Sequence, residues 1–219
     1  MAPLTLFGEK NLDSPFVFTV FVALKEKRVP FTLRSLDLSR GEQREGPFVA
    51  RSLTARVPTL TAGEFSLSES LAIVEYLDET LLAPLHPRVL PAGVEERGRA
   101  RQLLGWLRSD LAALRRERPT ASIFFEHERA TAPLGDAARA DADKLVRVAS
   151  TLLAGHGGSP FSSWSVAEAD LSIALMRLIA NGDEVPPQLK EYVAAQWQRP
   201  SIAAWVALER PATLESILA

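Results

Sequence analysis

Three prolines within "LLAPLHPRVLPAG", Leu81 to Gly93, split the chain into two parts that follow different rules. Proline removes an amide donor and blocks helix continuation, so a linker is expected there. Before it the apolar spacing switches between a strand period and a helix period; after it the helix period dominates. A chain divided in this way is expected to fold as a small α/β unit joined to an all-α unit.

In the first part, "PLTLFGE" reads as a strand over Pro3 to Phe7. Ser14 is a good N-cap and Pro15 a good first helical residue for "SPFVFTVFVALKEK", which must stop before Pro30. "FTLRSLDL", Phe31 to Leu38, alternates as a second strand, and strand-helix-strand implies a parallel βαβ unit. A polar stretch follows, with an irregular helix expected over Gln43 to Ser52. "PTLTA" and "EFSLS" read as an antiparallel hairpin, and Ser68 as the cap of the next helix. The order is βαβαββα, with a mixed four-stranded sheet. The predicted boundaries are residues 1–82 for this domain, 83–92 for the linker and 93–219 for the helical domain. In the latter, Ala100, Leu103, Leu104, Leu107, Leu111 and Leu114 trace one apolar face, which predicts a single helix over Val94 to Glu117. Further helices are expected over Ala137 to Leu153, from Ser165 to Gly182, over Pro186 to Trp197 and over Ser201 to Leu208.

Composition excludes several kinds of chemistry. With 25 basic and 27 acidic residues the net charge is −2, which offers no electrostatic footprint for nucleic acid. The chain has no cysteine, hence no disulfide, thiolate metal site or cysteine nucleophile. The longest apolar run, Phe16 to Leu24, is too short to span a bilayer, and the first residues lack a signal-peptide pattern. A cytoplasmic, unprocessed protein is expected. His86, His127 and His156 are widely separated, so no metal site is expected. No Gly-x-Ser-x-Gly elbow or Gly-rich phosphate loop occurs, which leaves a hydrolase without a nucleophile and base.

Three constellations carry usable chemistry. Val57-Pro58 precedes a strand; a cis bond there would turn the Val57 backbone groups toward an extended peptide, although a trans strand start is the commoner outcome. Ser68-Glu69-Ser70 opens a helix, where free N–H groups and the dipole favour a carboxylate and Glu69 suits an ammonium, although from these residues alone an ordinary N-cap is the commoner outcome. Ser14, at the other helix start, combines a hydroxyl with a helix N-terminus. Lowering a thiol from about 8.5 by roughly two units takes about 2.7 kcal/mol of thiolate stabilisation, within reach of one charge-assisted hydrogen bond and a helix dipole.

In combination, "VPTL", the hairpin, "LSESLAIVEYL" and "SPFVFTVFVALKEKRVPF" resemble the cytosolic glutathione transferases over essentially the whole chain. "SVAE", Ser165 to Glu168, has capping-box form where that family keeps a folding cap, with Glu168 where Asp is usual. The resemblance implies a thioredoxin-like first domain and an all-α second domain. It further implies Ser14 as the thiolate-stabilising residue of a serine-type enzyme, since no cysteine exists and the tyrosines are Tyr76 and Tyr192. Val57 would pair with the cysteinyl part of glutathione, Pro58 would be the cis-proline, Glu69 and Ser70 would hold the γ-glutamyl end, and Arg56 would lie near the glycyl carboxylate. The usual Asn-Pro before Val-Pro is replaced by "RSLTA".

The implied activity is conjugation of the glutathione thiolate to hydrophobic electrophiles, with Trp106 or Leu107 lining the substrate pocket. Glutathione would be a co-substrate, with no metal, and a homodimer is implied, with neither nucleic acid nor membrane as partner. Peroxide reduction at the same site and a non-catalytic interaction protein of the same fold are the alternatives.

Overall fold

The computed structural model describes residues 2–155 and 157–211; His156 and the last stretch of the predicted helical domain lie outside the described residues. Strand β1 (Leu4–Glu9) leads through a short loop to helix α1 (Pro15–Glu26), then β2 (Phe31–Leu36). Two 3-10 turns (Leu38–Arg40 and Glu42–Arg44) and a short α2 (Gly46–Val49) precede β3 (Thr59–Ala62), β4 (Phe65–Ser68) and α3 (Ser70–Thr80). The sheet order is β2-β1-β3-β4, with β1 parallel to β2 and antiparallel to β3. This is the mixed sheet and thioredoxin-like order that the sequence implied. Helices α4 (Val94–Ser109), α5 (Ala112–Glu117), α6 (Ala121–Phe124), α7 (Asp136–Leu153), α8 (Val166–Ala180), α9 (Pro187–Trp197) and α10 (Pro200–Val206) follow, with a 3-10 turn at Glu126–Glu128.

Helix α1 begins as expected: Ser14 is extended, its Oγ accepts from the Val17 N–H at 3.3 Å, and Pro15 opens the first turn. The helix is buried from Val17 to Leu24 and packs between the sheet domain and the helical domain, against α3, α8 and α10. Gly8 permits this close approach. A Cβ there would stand 2.8 Å from a Val17 methyl.

Three expectations fail locally. Ser68 does not cap α3: it is the last residue of β4, and Glu69 makes the turn with φ of 75° and no side-chain capping bond. The irregular helix over Gln43 to Ser52 is replaced by the 3-10 turns and the short α2. The long helix over Val94 to Glu117 is broken at Asp110–Leu111, where Leu111 adopts a left-handed φ of 60°. Side chains compensate the break. The Asp110 carboxylate accepts from the Leu111 N–H and from Trp106 Nε1, each at 2.8 Å, and from Lys144 Nζ. Asp141 accepts from the Ala113 and Leu114 N–H groups at 2.9 and 3.1 Å, supplying α5 with a start. Leu107, Leu111 and Leu114 all remain buried, so the apolar stripe continues where the helix does not.

The linker is held by a buried ion pair. Lys27, fully buried at the end of α1, donates to Asp78 at 2.6 Å and to the Leu81 carbonyl at 2.9 Å. Asp78 also accepts from the Val89 N–H at 2.9 Å. The Val89 carbonyl in turn accepts from the Val166 N–H and from Ser165, beside the capping box that Ser165 forms with Glu168. Removing one partner strands a buried charge, which costs about 3–5 kcal/mol. Asp78→Ala is therefore expected to lose about that much stability, read as a lowered urea midpoint with an unchanged slope.

Candidate functional site

Sheet register brings the chemistry to one edge of the sheet. Phe7 of β1 pairs with Thr59 of β3, and Thr59 pairs with Ser68 of β4. Gly8 and Glu9, Val57 and Pro58, and Glu69 and Ser70 are each within two residues of that line. The loop after β1 carries Ser14 to the start of α1 at the same edge. The Val57–Pro58 bond is cis.

A cleft of about 640 Å³ opens there. Glu9, Asp13, Ser14 and Phe16 form one wall, while Gln43, Arg44, Arg56 and Val57 form another. Pro119, Thr120 and Ala121, between α5 and the start of α6, close it from the helical domain. Ser14, Arg56 and Val57 therefore share one cavity. Pro58 is buried behind Val57.

Glu69 and Ser70 are not part of that lining. They sit at the neighbouring helix start, Glu69 exposed and Ser70 buried. Ser70 Oγ accepts from Arg108 Nε at 3.1 Å, and the same guanidinium donates to Asp170 at 2.6 Å, to Thr19 at 3.3 Å and to the Leu104 carbonyl at 2.8 Å. Arg108 thus lends positive charge to the Ser70 hydroxyl and leaves the hydroxyl proton available to another acceptor. Sequence patterns gave no hint of Arg108, because its partners are remote along the chain.

Trp106 and Leu107 both lie outside the lining of that cleft. Trp106 donates to Asp110 on its own helix. Leu107 lines a separate small pocket of about 40 Å³ together with Pro15 and Phe16, next to Ser14, and with Arg108 and Asp170. The break at Asp110–Leu111 turns the chain, so the segment that reaches the cleft is Pro119 to Ala121.

The electrostatics of the cleft are divided. Arg44 and Arg56 give one side positive charge, while Glu9 and Asp13 line the other. Burial holds the Asp13 carboxyl above its usual range, partly offset by Arg210. Burial also pushes Glu9 up to about 7, against the lowering effect of the Ser14 N–H, which donates to Glu9 Oε1 at 2.7 Å. No motif marks Glu9 in the sequence; an acid closing the strand LTLFGE is the available signal.

A carboxyl whose pKa is higher folded than unfolded binds its proton more tightly in the folded state. Its stabilising effect is complete below the unfolded value of 4.5 and is lost as pH rises to about 7. Glu9→Gln removes that loss while keeping an acceptor for Ser14. The variant is expected to exceed wild type by about 3 kcal/mol in urea unfolding near pH 8, with the gap closing as pH falls toward the unfolded value. Parallel pH profiles would contradict a buried, titrating Glu9.

Comparison with known proteins follows the same division of the chain. Residues 93–210 match the model of the glutathione S-transferase C-terminal domain, and residues 13–80 match that of the N-terminal domain. A probable maleylacetoacetate isomerase of Vibrio cholerae is 38% identical over 115 residues, 52% of this chain and 49% of that protein. Glutathione S-transferase theta-3 of Mus musculus is 34% identical over 87 residues, 40% of this chain and 35% of that protein. The chain thus matches half or less of the length of these curated relatives. A crystal structure of a glutathione transferase homolog from Burkholderia BGR1, with bound glutathione, is 40% identical, with a TM-score of 0.75 over 93% of this chain and 96% of that one. A theta class enzyme from Xanthomonas axonopodis pv. citri shares the fold at 23% identity, with a TM-score of 0.75 over 95% of this chain and 99% of that one.

Proposed function

Because this chain belongs to the glutathione S-transferase family, we propose that it is a glutathione transferase that joins the sulfur of glutathione to small apolar electrophiles. The observation that carries this reading is the convergence of Ser14, Arg56 and Val57 on one cleft at the N-terminus of α1.

Ser14 uses an oxygen lone pair to accept from the Val17 N–H, which leaves its O–H free to donate. A thiolate placed beside it receives that hydrogen bond and the positive end of α1, and both favour the charged sulfur. Val57 presents its backbone to the cysteinyl part of glutathione, with Pro58 behind it. Arg56 meets the glycyl carboxylate. Glu69 takes the γ-glutamyl ammonium and Ser70 the α-carboxylate, reinforced by the Arg108 charge at its oxygen. The thiolate then attacks the electrophilic carbon, a carbon–sulfur bond forms, and the leaving group departs with its electron pair. We further assign the protein to the cytoplasm as a homodimer, in keeping with its family.

The wild-type protein is expected to be retained on immobilised glutathione and to conjugate a generic aryl halide. Ser14→Ala is expected to lower kcat/KM between about ten- and a hundredfold, the equivalent of one charge-assisted hydrogen bond. Undiminished turnover in that variant would remove Ser14 from its role. A wild type that neither binds nor conjugates glutathione would favour a non-catalytic interaction protein of this fold.

A further inference from the structure

Among the described residues, four buried side-chain polar atoms have no hydrogen-bond partner, and one of them, Glu9 Oε2, belongs to a titratable group. Glu9 is 7% exposed and ends β1 on the wall of the cleft, with Ser14 and Val57. Its Oε1 is fixed by the Ser14 N–H at 2.7 Å, so the carboxyl is anchored at one oxygen and idle at the other. Leaving a buried acceptor unpaired is costly. An amide at this position would hold Ser14 equally well without the titrating charge. Neither the fold nor the anchoring of a tripeptide uses the second oxygen.

We propose that Glu9 Oε2 accepts the thiol proton of glutathione bound beside Ser14, a step that rests on the glutathione reading above. The S–H bond breaks and its electron pair remains on sulfur, where the Ser14 hydroxyl holds it. The proton forms an O–H bond at Glu9 Oε2. The pair carries one negative charge before and after, now on the nucleophile. Once the thioether has formed, the proton leaves Glu9 for water, or for the departing group where that group is an oxygen anion.

The proton affinity of Glu9 suits this exchange. An ordinary carboxylate is too weak a base to hold a thiol proton, whereas Glu9, at about 7, approaches the roughly 8.5 of a free thiol. The charged surroundings act in both directions. Asp13, on the same loop, raises Glu9, and Arg210, beyond α10, opposes it. Arg177 of α8 and Glu128 act on Asp13, and Arg44 and Arg56 stand on the other wall of the cleft. Strand β2 contributes Leu36 opposite Glu9, and the first turn of α1 carries no acid.

The test is calorimetric titration of the full-length protein with glutathione near pH 8, in two buffers of unlike ionisation enthalpy, with ultraviolet absorbance reporting the thiolate. Glu9 is then mostly ionised and ready to accept. The thiolate charge formed beside Glu9 raises its proton affinity further, past the buffer pH, so wild type is expected to form the thiolate while releasing well under half a proton to the buffer. Glu9→Gln is expected to form the thiolate and release close to a full proton. In its pH profile for conjugation the break near neutrality is expected to vanish. Full proton release by wild type overturns the proposal while leaving the glutathione reading intact. Glutathione that binds without thiolate formation overturns it too, as does an unchanged pH profile in Glu9→Gln. Absence of any binding heat defeats both the proposal and the reading on which it rests.

Discussion

The Arg108 guanidinium ties the two halves of this protein together. It lies in α4 yet bonds to Thr19 in α1, Asp170 in α8 and Ser70 at the head of α3. Thr19 closes the circuit by donating to Asp170 at 2.7 Å, and the Phe16 ring lies 5.5 Å from the guanidinium carbon. Asp170 is buried, so its charge depends on this partner; burial alone raises its pKa, and Arg108 is the first influence opposing that rise. The sheet edge with Ser14 and Ser70 is thereby fixed to the helices by charge as well as by apolar packing. A binding site assembled across two domains requires such a tie, because misplacement by about an ångström already costs positioning chemistry heavily.

A second tie runs through Lys27, Asp78 and Val89 to the capping box of α8. It turns a proline-rich linker, which by composition should be loose, into a fixed strap. The two networks meet helix α8 at different turns, through Ser165 near its start and through Asp170 within it. The buried central helix thus receives polar bonds from the linker and from the sheet domain while keeping its apolar face for the core.

The fold was largely legible because its signals are local. Ser14-Pro15, the hairpin around Gly63 and the Ser165–Glu168 box each specify an element within a few residues. The failures also have local causes. Ser68 looked like a cap, but Glu69 turns from strand to helix in one residue through a positive φ that a sequence pattern does not reveal. The apolar stripe from Ala100 to Leu114 reports burial, and burial persists across a break that the Asp110 and Asp141 side chains compensate. The site was legible where its residues sit at element boundaries, as with Ser14 and Val57. Arg108 and Glu9 were not: one is defined by partners 38 and 62 residues away, the other by a buried environment that sequence does not display.

The wall of the cleft between β2 and β3 is built unlike the rest. From Asp37 to Arg56 it consists of short turns whose backbone bonds are mostly local, and its buried residues are Phe48 and Ser52. Leu38, Gln43, Arg44, Thr54 and Ala55 nevertheless line the cavity. Replacing them alters what the cavity accepts and leaves the sheet, the helix starts and the interdomain ties in place. Ligand preference and foldability are therefore inherited on separate stretches of chain, and selection can revise the first without jeopardising the second.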